Sequence, residues 1–225
     1  MPYLYTIGRA TVGVGARMLW RPSTHGLHHV PERGGAILAG NHQSVADEWF
    51  LGSVVPRHIA FWAKAEYFTA SGIGGFLKKS LMTGLGAIPV DRTGGRAAVT
   101  ALDAAIPVLR AGGLVAIYPE GTRSPDGRLY RGRTGMVRLA IAAGVPIIPV
   151  GAIGTARVQP IGTVIPHLGH EVVMRFGEPI VIDPATVSGS DLRAATDTVM
   201  RRIQTLTGQE YVDRYAPTRA PDAAR

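Results

Sequence analysis

The run Ala36-Ile37-Leu38-Ala39-Gly40, followed at once by Asn41-His42-Gln43-Ser44-Val45-Ala46-Asp47, decides how the rest of the chain is read. A short apolar run bounded by glycines reads as a strand, and the polar stretch after it as the strand-to-helix turn where α/β proteins present reactive groups. The same pattern recurs. Short apolar or β-branched runs bounded by Gly and Pro stand at 58–62, 87–90, 114–118, 147–150 and 172–176, each an expected strand. Ala-rich periodic stretches from Arg96 to Ala111, Gly135 to Ala143 and Asp191 to Leu206 are long enough for two or more helical turns. This alternation predicts an α/β fold, a single domain with a mostly parallel central sheet flanked by helices.

Composition sets the limits of that reading. With 225 residues, 46% hydrophobic and 18% charged, the chain can bury a sizeable core, and Gly and Pro are frequent enough to promise many turns. No internal repeat is present. The organisation expected is an N-terminal amphipathic segment over 1–25, a catalytic-type body over 26–215 and a flexible tail over 216–225. The absence of cysteine excludes disulfides, Cys-ligated zinc, iron–sulfur clusters and any route through an acyl-cysteine. Arg9 and Arg17 interrupt the apolar N-terminus, so it reads as neither a signal peptide nor a span.

The net charge is +8, and 21 of the 24 basic residues are Arg, the side chain whose planar fork matches phosphate. The excess forms no basic arm of the kind nucleic-acid binders often carry; an anionic membrane surface or a phosphorylated substrate would serve as well as nucleic acid, and charge for solubility alone is the plain alternative. Two segments have the composition of interfacial helices. Residues 3–20 carry Leu4, Ile7, Val14, Met18 and Leu19 with Arg9 and Arg17, and residues 72–85 carry Ile73, Phe76, Leu77, Leu81 and Leu85 with Lys78 and Lys79. Both fit membrane docking and both fit ordinary amphipathic helices packed on a core.

Two constellations can do chemistry. His42 and Asp47 are five residues apart, about 140° around a regular helix, so they meet only if His42 lies in the turn before a helix that carries Asp47. There the carboxylate would fix the imidazole tautomer and stabilise the imidazolium; a capping Asp beside a surface His is the alternative. Tyr118-Pro119-Glu120-Gly121-Thr122-Arg123-Ser124 ends another strand, with Gly121 allowing close approach and Thr122, Arg123 and Ser124 offering donors to an oxyanion or phosphate. Arg128, Arg131, Arg133 and Arg138 follow. Asp91-Arg92 ends a third strand, either as a surface ion pair or as part of one site gathered at the carboxyl edge of a sheet. His25, His28 and His29 are the nearest approach to a metal cluster, and no metal is expected.

Asn41-His42…Asp47, Gly86-Ala87-Ile88-Pro89-Val90-Asp91-Arg92, Tyr118 to Ser124 and Val145-Pro146-Ile147-Ile148-Pro149-Val150-Gly151 resemble, in order and spacing, the four blocks of the glycerolipid acyltransferases, the family of glycerol-3-phosphate and 1-acylglycerol-3-phosphate O-acyltransferases. The resemblance implies His42 as general base with Asp47 as its partner. It implies Arg92, Glu120, Gly121, Thr122, Arg123 and Arg133 as the substrate phosphate-binding set, and an apolar fourth block that carries no chemistry. One position departs: where the family usually has Phe-Lys-x-Gly, this chain has Gly132-Arg133-Thr134-Gly135, keeping the charge and losing the aromatic.

The expected reaction is transfer of a fatty acyl group from a thioester of coenzyme A or acyl carrier protein to the hydroxyl of lysophosphatidate, with glycerol 3-phosphate or another lyso-lipid as the alternative acceptor. No cofactor is expected beyond the thioester co-substrate. An adjacent base suits this chemistry because a sugar-alcohol hydroxyl is a poor nucleophile at neutral pH, and the backbone near His42 or Gly121 is the candidate for holding the oxyanion. Localisation is expected at the cytoplasmic face of the cell membrane, peripherally. A thioester hydrolase and a non-enzymatic lipid-binding module are the rivals; the first needs no phosphate clamp, and the second leaves His42 without a role.

Overall fold

The computed structural model describes residues 3–69, 71–90, 96–183 and 189–217. Its centre is a six-stranded sheet in the order β1-β9-β8-β2-β6-β3, built from β1 (Ser23–His25), β2 (Ala36–Gly40), β3 (Ile59–Ala60), β6 (Leu114–Ile117), β8 (Ile147–Ile153) and β9 (Val173–Phe176). Every neighbouring pair is parallel except β8 with β9. The expected α/β class and mostly parallel sheet are therefore what the chain adopts.

Alternation along the strands sorts the core into two layers. Ala36 and Leu38 of β2, Ala116 of β6 and Ile148, Val150 and Ala152 of β8 face one side, where they pack on Phe50 and Leu51 of α3 (Ala46–Val54) and on Ala16 of the N-terminal helix. Ile37 and Ala39, Val115 and Ile117, and Ile147 face the other, against α6 (Arg96–Arg110), α7 (Gly135–Ala143) and α9 (Gly189–Thr207) through Leu109, Leu139, Val199 and Ile203. Phe50 is fully buried, worth about 2–3 kcal/mol in transfer from water.

Register positions the site. Ala39 pairs with Ile117 and Gly40 with Val150, so β2 and β6 end side by side and deliver residues 41–47 and 118–124 to the same edge. The fourth apolar block becomes β8, a buried strand between β2 and β9. The strand over 87–90 does not join this sheet. β5 (Ile88–Val90) instead forms a two-stranded parallel ribbon with β4 (Trp62–Lys64), because an apolar run announces a strand without naming its partner. A second ribbon pairs β7 (Leu129–Tyr130) with β10 (Tyr211–Val212), also in parallel.

The N-terminal segment is one helical rod with a π turn, α1 (Tyr3–Gly8), Arg9–Gly13 and α2 (Val14–Trp20), lying across the end of α3. Its arginines turn inward: Arg9 donates to the Pro56 carbonyl at 3.2 Å, and Arg17 to that of Ser53. Leu4 packs on Gly84 of α5 (Gly72–Gly84), whereas Ile7, Met18 and Leu19, and Phe76, Leu77 and Leu81 of α5, are exposed. Among the described residues no helix is long and apolar enough to cross a membrane. The short helices α4 (Glu66–Thr69) and α8 (Thr155–Val158) complete the chain.

Candidate active site

Asn41 opens the turn after β2 and is fully buried. Its amide binds β8 twice, donating to the Ala152 carbonyl at 2.9 Å and accepting the Ala152 N–H at 2.8 Å. The chain then winds around one carboxylate oxygen. Oδ2 of Asp47, in the first turn of α3, accepts the N–H groups of Gln43 (2.8 Å) and Ser44 (2.9 Å) and lies 2.9 Å from Nδ1 of His42. Ser44 Oγ accepts the Ala46 N–H and donates to the Gln159 carbonyl at 2.6 Å, which starts the helix and ties the turn to the end of α8.

These contacts fix the chemistry of His42. An ionised carboxylate only accepts, so Nδ1 carries the proton and Nε2 presents its lone pair. The imidazole stacks on Tyr118, with ring centroids 3.9 Å apart and planes 12° from parallel. Burial pushes the Tyr118 phenol well above its ordinary range, so it stays neutral against the dyad, and its hydroxyl has no hydrogen-bond partner among the described residues. The imidazole is thus held in one tautomer and one ring plane with 15% of the side chain exposed, a geometry in which an Nε2 lone pair can accept a proton.

The loop over 118–124 lies against this turn. The Ser124 N–H donates to the His42 carbonyl at 2.7 Å, and the His42 N–H donates to Glu120 Oε1 at 3.0 Å. The other oxygen of Glu120 accepts the Tyr130 N–H at 2.9 Å. Glu120 is 1% exposed, and burial raises its carboxyl to about 7, although the Tyr130 and His42 amides lower it. Glu120, expected among the phosphate ligands, has both oxygens on backbone donors, which brace the 41–47 turn against the 118–124 loop.

The cations divide clearly. Arg128 pairs with Asp126 at 2.7 Å and holds that carboxyl at about 2, and Arg131 pairs with Asp213 at 3.6 Å. Among the described residues no carboxylate pairs with Arg123 or Arg133, which leaves both guanidinium groups to a ligand. Arg133 lies against Gly121, whose φ of +77° favours glycine; a Cβ there would stand 3.0 Å from Arg133 Nε, so the guanidinium would have to shift. Thr122 is half-buried in the same loop. Arg92 lies outside the described residues, as does Asp91.

The missing aromatic at 132 has a physical cause. A Cβ on Gly132 would meet Met200 Sδ at 2.7 Å and Pro119 Cβ at 3.1 Å, so α9 fills that volume from outside. Asn41, Tyr118 and Ser124 were not singled out as parts of the dyad's support. Their partners lie up to 111 residues away or are backbone groups, which no local spacing reveals.

The fold thus brings the His42–Asp47 pair, at the carboxyl edge of the mostly parallel sheet, beside a glycine-bearing loop and two guanidinium groups, Arg123 and Arg133, that have no carboxylate partner among the described residues. Residues 21–153, more than half of the chain, match the family model described as Acyltransferase. The chain belongs to the acyltransferase family. It is 27% identical over 198 residues to the chloroplastic 1-acyl-sn-glycerol-3-phosphate acyltransferase BAT2 of Brassica napus, covering 88% of this chain and 54% of that one. It is 33% identical over 123 residues to the 1-acyl-sn-glycerol-3-phosphate acyltransferase of Bacillus subtilis (strain 168), covering 54% and 57%. The chain thus spans about half the length of the curated relatives it matches. The crystal structure of the 1-acyl-sn-glycerophosphate (LPA) acyltransferase PlsC from Thermotoga maritima superposes with a TM-score of 0.65 at 28% identity, covering 91% of this chain and 80% of that one.

Proposed function

We propose that the protein transfers a fatty acyl group from an acyl thioester to the free hydroxyl of 1-acylglycerol-3-phosphate, giving phosphatidate. The observation that carries this reading is the His42–Asp47 dyad with Nε2 free, set beside a loop whose Arg123 and Arg133 have no carboxylate of their own among the described residues. The relatives named for this reaction support it. His42 Nε2 takes the hydroxyl proton as the oxygen attacks the thioester carbonyl. The tetrahedral intermediate collapses by breaking the C–S bond, and the imidazolium returns the proton to the departing thiolate. Arg123 and Arg133 hold the acceptor's phosphate, and the thioester is a co-substrate of coenzyme A or acyl carrier protein.

The site works, in this reading, at the cytoplasmic face of the cell membrane, with the protein bound peripherally. Exposed Ile7, Met18, Leu19, Phe76, Leu77 and Leu81, with Lys78 and Lys79 and a net charge of +8, support contact with an anionic leaflet. The test is acyl transfer from oleoyl-coenzyme A with lysophosphatidate, glycerol 3-phosphate or no acceptor in parallel. The expected result is product with lysophosphatidate, lost by roughly 10²–10⁴-fold or more in His42→Ala. Thiol release independent of acceptor would make it a hydrolase and overturn the proposal.

A further inference from the structure

We propose that Tyr215, carried by the segment that follows β10, belongs to the acceptor-phosphate site, where it positions the Arg133 guanidinium and thereby sets KM for the phosphorylated acceptor. The inference rests on the reading above, in which Arg133 meets the phosphate.

Arg133 Cζ lies 5.1 Å from the Tyr215 ring centroid, and Arg131 Cζ lies 5.8 Å from it. The backbone of Arg133 is fixed by its N–H on the Pro119 carbonyl at 2.7 Å, and Gly121 supplies a surface with no side chain against Nε. The guanidinium is therefore located by a backbone bond, a glycine and an aromatic ring. None of the three consumes its N–H donors, so the charge is held while the fork stays available for a bidentate phosphate contact.

The segment around Tyr215 is built to stay there. The Leu129 N–H donates to the Glu210 carbonyl (2.9 Å) and the Arg131 N–H to that of Arg214 (3.1 Å), flanking the β7–β10 pairing. Gln209 Nε2 donates to the Gly127 carbonyl at 2.6 Å, and Ala216 is buried. Asp213 engages Arg131 at 3.6 Å, so one stretch of chain neutralises the neighbouring cation and leaves Arg133 charged. Tyr215 itself is 48% exposed, so packing in a core does not account for its position.

The test compares Tyr215→Phe, Tyr215→Leu and Tyr215→Ala in the full chain, using a short-chain, water-soluble lysophosphatidate and oleoyl-coenzyme A. A cation–π contact at an exposed site corresponds to about two- to fivefold in affinity. Tyr215→Ala and Tyr215→Leu should raise the acceptor KM by that factor with kcat, the thioester KM and the melting temperature unchanged, while Tyr215→Phe keeps the parent's values. An unchanged acceptor KM in the Ala and Leu variants overturns the inference. So does a parallel rise in both substrates' KM values, or a Phe variant that behaves like Ala. A parent that acylates no phosphorylated acceptor overturns the functional reading, and this inference with it.

Discussion

Glu120 carries the most revealing chemistry of any single residue, because it is an acid enclosed by the fold rather than offered to a ligand. Its folded-state value of about 7 exceeds the ordinary 4.5, so the native state binds the proton more tightly than the unfolded chain does. That contribution to stability is complete below pH 4.5 and is lost as the pH rises through 7, an effect on the order of 3 kcal/mol over the window. Urea unfolding at pH 4.5 and pH 8 should show the parent losing about that much relative to Glu120→Gln, which has nothing to titrate; equal losses would contradict the assignment. The same variant sets an NH2 donor against one of two backbone N–H groups, and its kcat should fall about tenfold as the His42 turn loosens. The family resemblance implies Glu120 as a ligand beside Gly121, Thr122 and Arg123. A carboxylate in a glycine- and arginine-bearing loop is equally compatible with binding a substrate or bracing the backbone, and only burial with two amide partners distinguishes them.

Between elements, the departure at position 132 becomes a packing relation between α9 and the 118–124 loop. A phenylalanine at 132 collides with Met200 and Pro119, so Gly132→Phe should lower stability by about 1–3 kcal/mol, and Gly132→Phe with Met200→Gly should recover a large part of it. Thermal unfolding of the two singles and the double checks this; strictly additive losses would mean that the two side chains do not share a space. The helices over 96–110, 135–143 and 189–207 were legible from periodicity, and the main strands from short apolar runs closed by Gly or Pro. What periodicity does not carry is partnership. Nothing in Ile88-Pro89-Val90 says that it pairs with Trp62–Lys64 instead of the central sheet, and nothing in Tyr211-Val212 says that it lies beside Leu129-Tyr130. The His42–Asp47 relation was legible because its spacing admits one geometry, a turn followed by a helix, and that is where the two residues stand.

At the scale of the whole molecule, the N-terminal rod and α5 touch through Leu4 and Gly84 and leave Ile7, Met18 and Leu19 of the rod and Phe76, Leu77 and Leu81 of α5 exposed. The hydrogen bonds of Arg9 and Arg17 to the Pro56 and Ser53 carbonyls bind the rod to the end of α3. A bilayer contact would then be made by Ile7, Met18, Phe76 and Leu77, since Leu4 is committed to Gly84. Changing those four to Ser should leave the fold and turnover of a soluble acceptor intact while reducing partition onto anionic vesicles about tenfold or more, given the free energy of burying even one such side chain. Co-sedimentation equal to the parent's would refute docking through this surface.

The pairing of β10 with β7 also bears on the timing of synthesis. Arg133 leaves the ribosome about 80 residues ahead of Tyr215, which at about 5–20 residues per second is a delay of several seconds. Through that interval the nascent chain holds His42, Asp47 and Arg133 but lacks β10 and the Tyr215 ring that lies against the Arg133 guanidinium. On the proposed reading, the base is therefore synthesised before the residues that grip the acceptor are all in place.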